Sequence, residues 1–427
     1  MSRASVSSGW VWCLALQLCL LGCVAGAAEV STEGGLTVRS DDGLFEFKVG
    51  GRIHFDLDLV RDDKGASFGS GLTPKNSSPL FRRARITFSG KAFGWEYMFV
   101  PDFAQSFSGN LRLQTCTETP CTIPTPGVVF QELYIAKPLL GGRLYIGQFT
   151  PFRSIEDNTS SNELTMMERA FTSALGVYRA GVLRLFVMGV GYQTNPTPNT
   201  MLGVALFGLR RDDSLANEGF GGALRATWRP IYAERRILHL GTSVSAENPD
   251  GPGPTGNVGA SLSYVGIRGP QAAMGSTTGG HSARYAAAEL AGTWGAFYLQ
   301  SEGVLASFGQ SGQSVDRTST WLHHATLSWN VFGESKPYDS RRASFKNITP
   351  RNAFGALELT FRHEFAQNFD PLTPTSVETV LAHTVGANYY FTPNVRMMAN
   401  CIFARTRRLD GALDRPSAAT FRFQMNW

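Results

Sequence analysis

The sequence predicts an all-β protein: a transmembrane antiparallel β-barrel of about 16 strands, with about 18 as the alternative, and one loop folded into it. Three observations predict this fold. Many segments of about ten residues alternate apolar and polar side chains. The N-terminus has the organisation of an export signal. After it, no apolar run reaches the ~18 residues of a spanning helix, and the mean hydropathy is only −0.11.

The first residues set the compartment. Arg3 is the only charged residue before Glu29, and the apolar run at residues 10–25 is followed by small residues that end at Ala27. Charged, apolar and small-residue segments in that order are typical of a secretory signal peptide. We therefore expect residues 1–27 to be a signal peptide cleaved after Ala27, and residues 28–427 to form the barrel domain.

The cysteines fit an exported protein. Cys116 and Cys121 lie in a stretch rich in Thr and Pro, and we predict that they form a loop disulfide in an oxidising compartment. No His or further Cys is near them in the sequence, so we predict no metal site. Cys401 falls on a strand position assigned to lipid. Cys23, preceded by Leu-Leu-Gly, leaves a lipoprotein signal open, and the apolar run leaves an N-terminal anchor open.

The alternation is clearest at the C-terminus. From Phe421 to Trp427, apolar residues occupy every odd position and polar residues every even position. An amphipathic final strand that ends in an aromatic is the form that bacterial barrels present to their assembly machinery, so we expect that machinery to be a partner. Similar alternation occurs at residues 52–59, 83–89, 224–229 and 384–391. About seventeen such segments are found, and closed bacterial barrels have an even number of strands.

Long polar connections separate the strands at residues 61–79, 105–129, 150–175, 248–257, 309–319 and 333–352. The long connections of such barrels usually lie at the outer face, and the short turns at the periplasmic face. Residues 150–175 differ from the others because apolar residues such as Ile155 and Phe171 recur among polar ones. We interpret this segment as a loop folded into the barrel, with an ordinary surface loop as the alternative.

Arginine dominates the basic residues. The 39 basic residues are 32 Arg and 7 Lys. Arg83 and Arg85 share a strand face opposite Ala84 and Ile86, and charges facing lipid cost about 2–4 kcal/mol near the midplane. We therefore place both arginines in the lumen, where rings of basic residues select anions. Pairing with lumen carboxylates such as Asp56 is the alternative.

Four further arginines are candidates to line the pore or bind anions. Arg153 and Arg169 lie in the proposed inward loop, where they would narrow and charge the pore or hold the loop to the wall. Arg225 and Arg229 alternate with apolar residues on one strand. Arg52 lies near Asp56 and Asp58 in the sequence, so pairing is the preferred interpretation there.

Several motifs in order resemble the phosphate-selective porin O/P family. They are Gly50-Gly51-Arg52-Ile53-His54-Phe55-Asp56, Phe81-Arg82-Arg83-Ala84-Arg85-Ile86, Gly147-Gln148-Phe149, Pro151-Phe152, Ser160-Ser161, Glu168-Arg169, Ala356-Leu357-Glu358-Leu359 with Arg362, Tyr390-Phe391-Thr392-Pro393-Asn394-Val395-Arg396 and Arg422-Phe423-Gln424. The resemblance implies a 16-stranded outer-membrane barrel, a homotrimer, an inward third loop and an anion pore lined by basic residues. Thr150 departs from the family, which often has Lys there.

The function that follows is an outer-membrane channel for passive diffusion of small anions, of the phosphate or polyphosphate class, exported by a cleaved signal peptide. A general diffusion porin or a neutral-solute channel is the alternative, and a plugged anchor is a further one. An enzyme is not expected, because none of the seven His lies in a nucleophile motif. We expect no cofactor and no nucleic-acid partner, and we expect outer-membrane lipids around the barrel.

Overall fold

The computed structural model describes residues 29–32, 34–61, 78–104, 128–176, 183–209, 219–248, 257–263, 271–278, 280–310, 317–371 and 373–427. One sheet of 19 strands dominates it. Three of these strands are short additions (Glu29–Ser31, Leu36–Arg39 and Leu413–Asp414), which leaves 19 − 3 = 16 strands in the wall. The predicted 16-stranded antiparallel barrel is therefore confirmed.

The wall strands, numbered here in chain order, are β1 (Phe45–Arg61), β2 (Ser78–Ala92), β3 (Trp95–Asp102), β4 (Val129–Leu139), β5 (Gly142–Phe149), β6 (Val187–Thr194), β7 (Thr200–Gly208), β8 (Phe220–Ala233), β9 (Arg236–Asn248), β10 (Gly280–Trp294), β11 (Phe297–Gln310), β12 (Arg317–Asn330), β13 (Ala356–Asn368), β14 (Val377–Thr392), β15 (Val395–Arg408) and β16 (Ser417–Asn426). Each pairs antiparallel with the next.

The last strand closes the barrel on the first. β16 pairs antiparallel with β1 in a register that runs from Ser417 opposite Arg61 to Asn426 opposite Arg52. Trp427 extends this seam, because its N–H donates to Gly51 O at 3.1 Å and its carbonyl accepts from Gly51 N at 3.0 Å. A Cβ on Gly51 would lie 2.4 Å from the Trp427 ring, so only glycine fits there. Closure leaves the wall without a free edge.

The two ends of the barrel differ in the length of their connections. At one end the strands are joined mostly by tight turns such as Phe93-Gly94, where both residues have positive φ (52° and 77°), as a hairpin turn that follows strand twist requires. We take this end as periplasmic. The other end carries the long loops. Among the described residues, no helix is long and apolar enough to cross a membrane.

The predicted alternation is present along the wall. Outward positions hold exposed apolar side chains, such as Leu57, Leu224 and Phe361, and inward positions hold buried polar ones. On β13, for example, Leu359 and Phe361 face outward while Glu358 and Arg362 are buried in the lumen. A charged, hydrogen-bonded interior inside an apolar outer surface is the arrangement expected of a barrel in lipid.

The remaining elements lie in the connections. The loop between β5 and β6 carries helix α1 (Ile155–Asn158) and the 3-10 helix Phe171–Gly176. Between β9 and β10, the strands Asn257–Ser263 and Gln271–Thr278 form a hairpin whose backbone lies beside that 3-10 helix. Strands Tyr338–Asp339 and Ser344–Phe345 pair within the connection between β12 and β13.

Candidate functional site

The loop at residues 150–176, called the inward loop below, enters the lumen from the long-loop end. Ser154 caps helix α1 by accepting from Asp157 N at 3.0 Å. Ile155, the first residue of the helix, is fully buried and packs with Phe345 and Tyr298. The mixed apolar and polar sequence of this segment thus reflects packing inside the barrel, and the predicted inward fold is confirmed.

Two methionine sulfurs in the inward loop accept hydrogen bonds from lumen side chains. Met166 Sδ accepts from Asn400 Nδ2 at 3.2 Å, and Met167 Sδ accepts from Thr420 Oγ1 at 3.2 Å. The Met167 N–H also donates to Asn400 Oδ1 at 3.1 Å. The loop is therefore fixed to β15 and β16 by polar as well as apolar contacts.

Glu168 joins the inward loop to the arginines of the second and last strands. Its carboxylate accepts from Arg82 in two bonds of 2.9 Å and from Arg422 Nη2 at 2.6 Å, and Arg83 Nη1 lies 3.6 Å away. Arg422 also pairs with Asp56 at 2.6 Å. Burial would raise the pKa of Glu168, but these guanidiniums hold it well below its usual range.

The arginine motif of β2 carries one lumen residue more than strict alternation predicts. A register shift between His54 and Phe55 leaves Arg82 and Arg83 together opposite one position of β1, which is a β-bulge. Strict alternation from Arg83 and Arg85 would turn Arg82 toward lipid, but the bulge lets it reach Glu168. The sequence held one signal for this, because a charge facing lipid is costly.

The two predicted arginines of β2 lie in the lumen but have different surroundings. Arg83 is 5% exposed and contacts His54 Nδ1 at 3.3 Å. Arg85 pairs with Asp102, whose Oδ2 accepts from Nε at 2.7 Å. Both are close to carboxylates, so neither presents an uncompensated charge to a solute.

The predicted arginines of the inward loop hold that loop in place. Arg153 is 1% exposed and pairs with Glu247 of β9 at 2.9 Å. Arg169 donates to the carbonyls of Glu156 and Thr159, and the second bond is 2.7 Å long. Their contacts are those of structural residues.

The two arginines predicted on β8 are also fully engaged. Arg225 binds both oxygens of Glu289, at 2.9 and 2.8 Å. Arg229 lies between two tyrosine rings, with its guanidinium carbon 4.1 Å from the Tyr232 centroid and 4.7 Å from the Tyr338 centroid. The structure thus places these candidates in the lumen wall without grouping them into one anion site.

A second segment, residues 331–355, enters the lumen from the opposite end. It is called the inward turn below. It connects β12 to β13 at the periplasmic end, whereas its length favoured the outer face. Lys336, 2% exposed, pairs with Glu358 at 2.9 Å, and Tyr338 OH lies 2.7 Å from His239 Nδ1. Buried ionic and aromatic contacts therefore hold it against β9, β11 and β13.

The inward loop and the inward turn meet inside the barrel. Asn347 of the turn donates through its backbone N–H to Glu163 and through Nδ2 to the carbonyl of Asn162. Arg396 of β15 binds both segments, with Nη1 3.0 Å from Asn347 Oδ1 and Nη2 2.8 Å from Asn162 O. Arg396 is 2% exposed. The constriction is therefore one assembly built from both ends.

The open side of the lumen lies along β1–β5. Inward side chains of β7–β16 are mostly buried against the two segments, whereas Arg52, Arg85 and Glu132 remain partly exposed. Arg341 and Arg342 of the inward turn line a cavity of about 50 Å³ here together with Glu132. Burial lowers the pKa of Arg342, but the nearby carboxylate of Glu132 raises it above its ordinary value, so the guanidinium stays charged.

Three arginines at this opening were not among the predicted site residues. Arg52 donates to the hydroxyls of Ser160 and Ser161 at 3.3 and 3.0 Å rather than to Asp56. Nothing in the sequence marked Arg341 and Arg342 as pore-lining residues, because two adjacent basic residues are common in a connection between strands. Among the described residues, none of these three side chains makes an ion pair.

The described residues bear on only some of the cysteine and metal predictions. Cys116 and Cys121 lie outside the described residues, as does the predicted signal peptide. Cys401 is a free, exposed cysteine on the outward face of β15. Within the part of the chain that the structure describes, no cluster of His, Cys, Asp and Glu could hold a metal ion.

Comparison with known proteins shows which family and which solved structures the chain is similar to. The family model of phosphate-selective porins O and P matches residues 47–427. Porin O of Pseudomonas aeruginosa is 24% identical over an alignment of 414 residues, and the match covers 89% of this chain and 87% of that protein. The outer membrane channel DcaP of Acinetobacter baumannii is similar over 91% of this chain and 99% of its own, with a TM-score of 0.55 and 11% identity. An anion-selective porin from Comamonas acidovorans is similar over 90% and 100%, with a TM-score of 0.58 and 9% identity. At these identities, the two structures show the fold alone.

Proposed function

Because the chain belongs to the phosphate-selective porin O and P family, we propose that it conducts small anions of the phosphate class through the bacterial outer membrane. It is a multi-pass β-barrel of that membrane. The relatives support the anion class: one is named Porin O and a structural neighbour is described as anion-selective. Diffusion through such a channel is passive.

One observation carries the anion preference. The lumen arginines that are hydrogen-bonded to carboxylates, such as Arg225 and Arg85, are locked into the wall. Arg341 and Arg342 instead line the cavity at the opening along β1–β5, and Arg52 of the wall lies near Arg342. Among the described residues, none of the three makes an ion pair. Guanidiniums that are not bound in an ion pair can attract anions and replace part of their hydration shell.

The chemistry of these three residues favours phosphate-like oxyanions. A guanidinium presents planar, paired N–H donors that match two oxygens of one anion. Arg341 and Arg342 are adjacent on the inward turn, and Arg52 on the wall lies close enough to Arg342 for the two charges to repel each other. A solute entering between them would meet donors from two sides. A longer phosphate chain would contact Arg52 and the Arg341–Arg342 pair at the same time.

Reversal potentials in planar bilayers under a KCl gradient test this assignment. We expect anion preference and block of the chloride current by added phosphate, both strongly reduced in Arg341→Gln/Arg342→Gln and in Arg52→Gln. Arg284→Gln removes one charge from the outward face of β10 and should change neither. Cation preference, or none, in the unmodified channel would instead leave a general diffusion porin or a neutral-solute channel.

We also infer that the protein is exported by cleavage after Ala27, assembles through its C-terminal strand and forms a homotrimer. The order of apolar and small residues up to Ala27 supports the first inference, and the aromatic end of the alternating strand β16 supports the second. The trimer rests on family resemblance. N-terminal sequencing of the membrane-extracted protein tests the cleavage site, and its native mass tests the homotrimer.

A further inference from the structure

Three arginines lie together at the long-loop rim of the barrel, on the surface that faces the membrane. Arg405 and Arg407 are near the end of β15, and Arg415 lies two residues before the start of β16. All three side chains are exposed, while Ala404 and Thr406, the two neighbours of Arg405, are buried on the inner side. We call these three residues the rim cluster. They lie outside the lumen.

The rim cluster sets like charges directly against each other. Phe403 pairs with Ser417 and Thr406 pairs with Asp414, so the same register places Arg405 opposite Arg415. Directly opposed side chains of an antiparallel pair have Cβ atoms about 4.5–5.5 Å apart, and like charges there are destabilising. An anion between the two guanidiniums would remove this repulsion.

Protein carboxylates compensate the rim cluster only in part. Glu378 pairs with Arg407 at 3.2 Å, and the Arg407 side chain stays 53% exposed in that pair. In the described ranges, no ion pair reaches Arg405 or Arg415. The cluster therefore keeps a net positive charge. On the surface that faces lipid, an arginine is destabilising unless its guanidinium contacts water or an anionic head group.

An apolar belt begins directly below the rim cluster. Phe403, Phe421 and Leu59, on three adjacent strands, are 58%, 45% and 45% exposed on the outward face. A ligand that fills both regions needs an anionic head at the arginines and acyl chains along the belt. We propose that the rim cluster binds the phosphate groups of a phosphorylated lipid in the outer leaflet.

Native mass spectrometry of the purified barrel in detergent tests the proposal. Lipid A with its phosphates, the same lipid after removal of its phosphates, and inorganic phosphate alone are the three probes. We expect the phosphorylated lipid to bind best, and Arg405→Gln/Arg415→Gln to weaken that binding roughly tenfold or more. Arg405→Lys/Arg415→Lys keeps the charge but loses the fork, and should weaken it less.

Arg284→Gln is the matched control, because Arg284 is also an exposed arginine on the outward face near the same rim but has Ser307 opposite it. Heat-modifiable migration on gels verifies that each variant is folded. Equal binding of both lipids, equal loss in Arg284→Gln, or full displacement of the lipid by inorganic phosphate would each overturn the proposal. Reversal potentials should be the same in the Gln variants and the unmodified channel, which keeps this test separate from that of the anion pore.

Discussion

Arg225 and Glu289 form a two-bond ion pair inside the barrel, with distances of 2.9 and 2.8 Å and neither side chain exposed. The pair joins β8 to β10 across β9, and His239 of β9 adds a contact to Glu289 at 3.0 Å. An arginine used in this way contributes to the wall rather than to the charge that a solute meets.

Arg225→Met should therefore destabilise the barrel and leave ion selectivity nearly unchanged. Removing one partner of a buried pair leaves an uncompensated charge, which costs about 3–5 kcal/mol. Urea titration of the folded fraction measures the loss, and Arg225→Met/Glu289→Leu should recover most of it. A shift in reversal potential as large as that of Arg341→Gln/Arg342→Gln would contradict this structural role.

Glu168→Gln should make the channel more anion-preferring and its current noisier. The carboxylate is shared by Arg82 and Arg422 and lies near Arg83, so neutralising it frees positive charge and loosens the inward loop. Single-channel recording measures both effects. Glu29→Gln, an equal charge change in the exposed hairpin outside the lumen, is the control. Unchanged selectivity would show that these arginines do not face the conducting path.

Acid should leave the contacts of Glu168 with Arg82 and Arg422 intact until the pH is well below the ordinary glutamate pKa. The folded-state pKa of Glu168 is lowered, so its stabilisation is fully present above the unfolded value near 4.5 and is lost as pH falls through the lower folded value. Channel noise should stay constant from neutral pH to about pH 4.5 and rise only below it. A rise between pH 7 and 5 would show that another group controls the loop.

Weakening the junction between the inward loop and the inward turn should widen the pore. Arg396→Lys keeps the charge but loses several of the bonds to Asn347 and Asn162, and Asn347→Ala removes the partner. We expect a loss of about 1–3 kcal/mol for each variant and a larger single-channel conductance. Conductance equal to that of the unmodified channel, despite the lower stability, would mean that the junction does not border the path.

The sequence predicts which face a residue occupies far better than it predicts the residue's partner. Alternation placed Arg83 and Arg225 on the lumen side, where the structure has them, because a period of two residues reports directly on the two faces of a sheet. Their partners cannot be derived this way. Arg422 pairs with Asp56 across the closing seam, 366 positions away in the chain.

The recognition of the family from ordered motifs is confirmed, and so are the 16 strands and the inward loop. The inward turn was expected at the outer face because of its length. The end at which a connection lies follows instead from whether it comes after an odd-numbered or an even-numbered strand, and this one comes after β12. The opening lined by Arg341 and Arg342 depends on how that turn folds back into the lumen. No local pattern in the sequence reports this.

The inward turn starts and ends at the periplasmic mouth, so phages, antibodies and proteases outside the cell cannot reach its point of attachment. Its two ends join neighbouring strands of one hairpin, so residues can be inserted or removed there without changing the pairing of the wall. The part of the bore that the inward turn forms can therefore change independently of the loops exposed at the cell surface. The same barrel can vary its exterior while keeping its permeability.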